Sequence, residues 1–97
     1  MARILIIEDE EVSRVMLAQI LKEAGHTVVA AEDGIKGLAR NRQRPTDLII
    51  TDIMMPAKDG MHVINELKRD FPEAKIIAIS GSDKEDRREF FFDVSRI

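Results

Sequence analysis

Four short apolar runs punctuate the chain, and each is separated from the next by a stretch with helical periodicity. Ile4–Ile7 is continuous, largely β-branched and bounded by charge, as expected for a strand buried in a parallel sheet. In VSRVMLAQILKEAG the residues Val12, Val15, Met16, Ile20 and Ala24 recur on one helical stripe, and Gly25 stands where that helix should end. Thr27–Ala31 is a second strand. Gly34–Arg42 carries Ile35, Leu38 and Ala39 at helical spacing before Pro45 closes the element. Leu48–Thr51 forms a third strand that leads directly into Asp52. Pro56 and Gly60 mark a tight loop, after which Met61, Ile64 and Leu67 predict a third helix stopped by Pro72. Lys75–Ile79 is a fourth strand ending at Ser80. Strands alternating with helices imply parallel pairing through crossovers, with helices on both faces of the sheet. The pattern therefore predicts one doubly wound α/β domain over residues 1–97, with no internal repeat or linker.

The tail departs from this rhythm. Ser82 followed by Glu85 makes a capping box, and Asp83, Glu85 and Asp86 suit the positive end of a helix dipole. A helix is therefore expected from Ser82 on, with Phe90, Val94 and Ile97 on one stripe, Phe91 at its flank and Phe92 opposite. Docking that stripe on the sheet leaves Phe92 either exposed or in contact with another chain. The competing assignment makes Glu89–Val94 a fifth strand, because an aromatic run also suits a buried strand.

Composition narrows the classes. With 97 residues the chain has room for one small core, burying roughly 60–65% of its unfolded surface, so losing one helix from the plan would matter. A net charge of −3 argues against general attraction to nucleic acid or anionic lipid. The absence of cysteine leaves no disulfide framework and no thiolate metal site. The apolar run after Arg3 is too short for a signal peptide, and no later run could span a membrane, so the expected location is the cytoplasm.

Candidate chemistry sits at the strand ends. Ligands of open parallel sheets bind beyond the strands' carboxyl ends. Glu8 and Asp9 follow the first strand and Asp52 ends the third. In the strand order 2-1-3-4 these two strands are neighbours, so the three carboxylates converge. Carboxylates that close repel, and either a proton or a cation must sit among them. Mg²⁺ suits such a set of hard oxygen ligands. A metal-bridged carboxylate can also attack a phosphoryl group, and Ser80 could donate a hydrogen bond to a phosphoryl oxygen. Any one of these acids alone would be read as a solvated loop charge.

IEDE after the first strand, ITDIMMPAKDG around the third and AISGS at the fourth together resemble the receiver domain of two-component response regulators. The resemblance runs from Arg3 to about Ser82, in order and at matching spacings, and leaves 83–97 as a divergent tail. It implies a flavodoxin-like fold. It further implies that Asp52 accepts phosphate from a histidine kinase or phosphotransfer protein, and that Glu8, Asp9, Asp52 and the backbone carbonyl of Met54 hold Mg²⁺. Ser80 would be the switch hydroxyl, Pro56 and Gly60 would shape the loop, and Met54 and Ser82 would modulate phosphate loss. Apolar Met54 cannot orient an attacking water, so slow self-dephosphorylation is expected.

Receiver domains continue into a fifth strand ending in a lysine, usually followed by proline, and then a fifth helix. Here the last lysine is Lys84, and no catalytic lysine stands at the expected position. Three expectations follow. An aspartyl phosphate would lose a charge-assisted partner worth roughly 1.5–3 kcal/mol, with Lys58 and Lys84 as the nearest substitutes. The fourth strand would become an edge, and the surface beside the first helix would be uncovered. Self-association through that edge or an exchanged tail helix would then follow. Finally, the abrupt end of the resemblance fits either an evolved short form or a truncated or frame-shifted longer chain.

The remaining features are weaker. RNRQR (Arg40–Arg44) reads as cations complementing a helix C-terminus. His26 and His62 lack partners at metal-ligand spacing and read as surface histidines. Nothing resembles a nucleophilic triad, a glycine-rich phosphate loop or a DNA-reading helix. Two rival classes stand beside the phosphoacceptor. One is a degenerate receiver serving as an interaction or dimerisation module. The other is an aspartate-nucleophile phosphohydrolase, which would want a second aspartate where Met54 stands. Beyond self-catalysed transfer and loss of phosphate, no enzymatic activity is expected.

Overall fold

The computed structural model describes residues 1–52, 60–81 and 89–93. The first strand is β1 (Arg3–Ile7), followed by α1 (Glu11–Glu23) and β2 (Thr27–Ala31). Next come α2 (Gly34–Gln43), β3 (Leu48–Asp52), α3 (Gly60–Asp70) and β4 (Lys75–Gly81), and β5 (Glu89–Asp93) is the last element described. They form one five-stranded sheet in the order β2-β1-β3-β4-β5. The first four strands pair in parallel, as the alternation of elements requires, and β5 runs antiparallel to β4.

Two apolar layers sandwich the sheet because alternate strand residues point to opposite faces. Leu5, Ile7, Ile49, Ile76 and Ala78 pack on one side against Leu38 of α2 and Val63, Ile64 and Leu67 of α3. Ile4, Ile6 and Ile50 face the other side, where Leu17, Ala18 and Leu21 of α1 cover them. The buried β1 run Ile4–Ile7 thus serves both layers, which is why it reads as continuous rather than alternating.

Helix ends follow local chemistry. Asp33 caps α2 by accepting from the Lys36 N–H at 2.8 Å. Gly25, at φ 98°, lets the chain turn out of α1 into β2. The connection from α2 to β3 is latched by buried Asn41, whose Oδ1 accepts from both the Thr46 N–H (3.0 Å) and its hydroxyl (2.7 Å). Of the basic cluster, Arg40 and Arg42 lie in the last turn of α2 as expected. Arg42 reaches Asp70 (3.4 Å) and Glu66 (3.6 Å) on α3.

Four expectations change. The α1 stripe Val12, Val15, Met16 and Ile20 does not face the sheet; each residue is 54–64% exposed. The helix carries two overlapping apolar stripes, and Leu17, Ala18 and Leu21 form the one that packs. In α2 the buried face is Gly34, Gly37, Leu38 and Asn41, while Ile35 and Ala39 are exposed. The helix lies so close that a Cβ at Gly34 would stand 2.3 Å from Val63 Cγ2. The helix expected from Ser82 gives way to strand over Glu89–Asp93, because a run of aromatic residues can satisfy the open β4 ladder with its own backbone. β4 is therefore flanked on both sides and is not the sheet edge. Ser82, the capping box and Val94–Ile97 lie outside the described residues.

Candidate metal centre

Parallel pairing in register creates the site. Ile7 of β1 stands opposite Thr51 of β3, so Glu8 and Asp52, the next residues on each strand, emerge side by side. Asp9 follows Glu8 in the loop. Carboxylate oxygens of Glu8, Asp9 and Asp52 lie within 4.8 Å of one another, as the strand order 2-1-3 demanded.

The Glu8 backbone is held from two directions. Its N–H extends the sheet ladder by donating to the Ala31 carbonyl at 3.0 Å. Its carbonyl accepts from Arg14 Nη1 at 2.9 Å, and the same nitrogen lies 3.4 Å from the Asp9 carbonyl. The Glu10 N–H, 3.4 Å away, points to Glu8 Oε1. Glu8 is only partly exposed, and its carboxyl is pushed up to about 8. Burial is the largest cause, followed by the hydrogen bond with Asp52 and the negative charges of Asp52 and Asp9; the Glu10 N–H opposes them. Near neutral pH a proton therefore takes the place that a cation would fill.

The donors fit Mg²⁺. Three carboxylates whose oxygens lie within 4.8 Å of one another offer the hard ligands that a small divalent ion takes. Ser80 lies one residue beyond Ile79, the register partner of Asp52, which puts its backbone at the same end of the sheet. Gly60 starts α3, whereas Met54, Pro56 and Lys58 lie outside the described residues, as do Ser82 and Lys84. β5 adds a geometric fact that the sequence does not reveal. Because it is antiparallel, its first residue, Glu89, pairs with Gly81 at the site end, while its last, Asp93, pairs with Ile77 farther down. A residue at this strand's carboxyl end is thereby directed away from the acidic cluster.

His26 is tied into the fold, its Nδ1 accepting from the Ala2 N–H at 3.0 Å, and His62 is exposed. Arg14 was not foreseen as part of the site: its contacts are to backbone carbonyls, which leave no motif in a sequence. Among the described residues no helix is long and apolar enough to cross a membrane.

Comparison with known proteins agrees with this architecture. Residues 4–95 match the model of the response regulator receiver domain, so the match runs past Ser82 and through β5. Protein PilH of Pseudomonas aeruginosa is 36% identical over 87 residues, covering 88% of this chain and 72% of PilH. Chemotaxis protein CheY of Bacillus subtilis is 38% identical over 80 residues, covering 81% of this chain and 67% of CheY. Response regulator RR06 of Streptococcus pneumoniae is 36% identical, and the chain spans only 42% of its length. Among solved structures, response regulator TrrA of Thermotoga maritima in complex with Mg²⁺-BeF superposes with a TM-score of 0.79 at 34% identity, over 90% of this chain and 75% of TrrA. TrrA in complex with the histidine kinase ThkA gives the same TM-score and identity over 98% of this chain and 78% of the matched chain. With its parallel β2-β1-β3-β4 core, its acidic strand ends and this match along nearly its whole length, the chain belongs to the response regulator receiver domain family.

Proposed function

We propose that this chain is a phosphoacceptor, taking a phosphoryl group on Asp52 from a histidine kinase or phosphotransfer protein in the cytoplasm. The observation that carries the proposal is the convergence of Glu8, Asp9 and Asp52 at the carboxyl ends of two adjacent strands. An Asp52 carboxylate oxygen attacks phosphorus, the new O–P bond forms as the P–N bond to the donor imidazole breaks, and the imidazole leaves with the bonding pair and takes up a proton. Glu8, Asp9 and Asp52, with the Met54 carbonyl, would hold Mg²⁺, which when bound neutralises charge on the phosphoryl oxygens. Ser80 would donate its hydroxyl to one of those oxygens, and Pro56 and Gly60 would shape the loop between β3 and α3. Met54 and Ser82 would set the rate of phosphate loss, which is slow with an apolar residue at 54. The chain signals through its phosphorylated state rather than turning over a substrate.

Incubation of the purified protein with acetyl phosphate and Mg²⁺ tests the assignment. Intact mass should rise by one phosphoryl group, and the gain should vanish in Asp52→Asn or with EDTA. No gain in the wild type, or a gain that survives Asp52→Asn, would defeat it.

A second reading is favoured by a specific observation: the antiparallel course of β5 and the lack of a lysine in Glu89–Asp93. Among the described residues this strand offers an aspartyl phosphate no lysine, and a charge-assisted partner of that kind is worth roughly 1.5–3 kcal/mol. The fold would then serve as an interaction module. The exposed α1 stripe of Val12, Val15, Met16 and Ile20 supports self-association in either case.

A further inference from the structure

We infer that Arg14 is a positioning residue for the metal centre, acting through the backbone of the loop that carries two of its carboxylates. The inference rests on the Mg²⁺ reading of Glu8, Asp9 and Asp52 and extends it to a residue one turn into α1. Arg14 Nη1 donates to the Glu8 carbonyl at 2.9 Å and reaches the Asp9 carbonyl at 3.4 Å. The Glu8 N–H is already fixed on the Ala31 carbonyl, so the Arg14 bond immobilises the peptide on the other side of the same residue. The Asp9 carbonyl belongs to the peptide unit whose N–H, that of Glu10, points at Glu8 Oε1 from 3.4 Å. A cation on that carbonyl polarises the unit and strengthens the N–H as a donor to the carboxylate. Arg14 itself is anchored, because its own N–H donates to the Glu10 carbonyl at 2.9 Å and closes the first turn of α1. The guanidinium thus locks the path of the chain from the end of β1 into α1, and with it the directions in which Glu8 and Asp9 leave the backbone.

Positioning and simple electrostatics predict opposite signs. Removing a positive charge near a cation site should tighten Mg²⁺ binding if charge alone matters. Losing an outer partner that orients ligands should weaken it, typically by 10–100-fold. Calorimetric titration of Mg²⁺ into the wild type, Arg14→Ala, Arg14→Lys and Lys22→Ala separates the two, Lys22 being a cation of the same helix that touches neither carbonyl. We expect Arg14→Ala to raise the Mg²⁺ Kd about tenfold, Arg14→Lys to recover most of that loss, and Lys22→Ala to leave Kd unchanged or lower. Melting without Mg²⁺ guards against a general loss of fold: the positioning role shows as a smaller Mg²⁺-induced rise in Tm in Arg14→Ala. If Arg14→Ala binds Mg²⁺ as tightly as the wild type or tighter, the inference is wrong while the metal site stands. If Arg14→Ala lowers Tm equally with and without Mg²⁺, Arg14 is structural only. A wild type that binds no Mg²⁺ overturns the metal site and the inference together.

Discussion

Glu8 carries the clearest electrostatic signature in the chain. Its carboxyl titrates at about 8 against an ordinary 4.5, because it is partly buried beside Asp52 and Asp9. A carboxyl raised in the fold binds its proton more tightly there than in the unfolded chain, so it favours the fold fully below about 4.5. That contribution disappears as pH rises through about 8. The metal-free protein should therefore lose Tm across this window, and added Mg²⁺ should restore more of it the higher the pH. Glu8→Gln, which carries no titrating proton, should flatten the first trend, and thermal melts over a pH series check it. That Glu8, Asp9 and Asp52 would meet was legible in the sequence, because adjacency of the first and third strands follows from the fold class. The Arg14 contacts were not legible, since a side chain bound to carbonyls is chosen by local geometry and not by residue type at a spacing. The latch of Asn41 onto Thr46 escaped for the same reason.

At the scale of elements, four strands and three helices could be read from periodicity to within about two residues at each end. The face of α3 could be read as well, Ile64 and Leu67 both being buried against the sheet, whereas the faces of α1 and α2 could not be read in full. On α1 the stripes Val12–Val15–Met16–Ile20 and Leu17–Ala18–Leu21 are both apolar, and only the second meets the sheet. On α2 the closest approaches are at Gly34 and Gly37, which no hydrophobic pattern marks, beside the buried Leu38. Gly34→Ala would place a Cβ 2.3 Å from Val63 Cγ2, so overpacking should cost about 1–3 kcal/mol despite alanine's better helix propensity; chemical denaturation measures it. By contrast Leu67→Ala, in the fully buried face of α3, leaves a cavity and should cost about 2–5 kcal/mol in the same assay. β5 shows how tertiary pairing overrides a local signal. The stripe through Phe90 suits a helix, but EFFFD, in keeping with the competing strand assignment, completes a ladder on β4 that would otherwise present unpaired backbone groups to water. Hydrogen exchange should accordingly protect amides on both sides of β4.

Over the whole molecule, the two faces of the sheet are covered unequally. One carries α2 and α3, while among the described residues only α1 covers the other, and α1 turns four large apolar side chains to solvent. Such a patch favours association. Val15→Lys combined with Ile20→Lys should lower the apparent mass at high concentration in light scattering, with monomer stability changed by only about 0.5 kcal/mol per exposed site. The expected edge at β4 plays no part in this, because β5 occupies it. Everything proposed for the acidic end of the sheet requires one divalent ion to sit among Glu8, Asp9 and Asp52. Trace Mn²⁺, which accepts the same oxygen ligands, locates such an ion through paramagnetic broadening of amide resonances. Broadening should be confined to the carboxyl ends of β1, β3 and β4, around Glu8–Glu10, Asp52 and Ser80, and should disappear in Asp9→Asn. Broadening centred on the acids at the opposite end of the sheet, Asp47, Asp70 and Glu73, or spread evenly over the chain, would contradict the account.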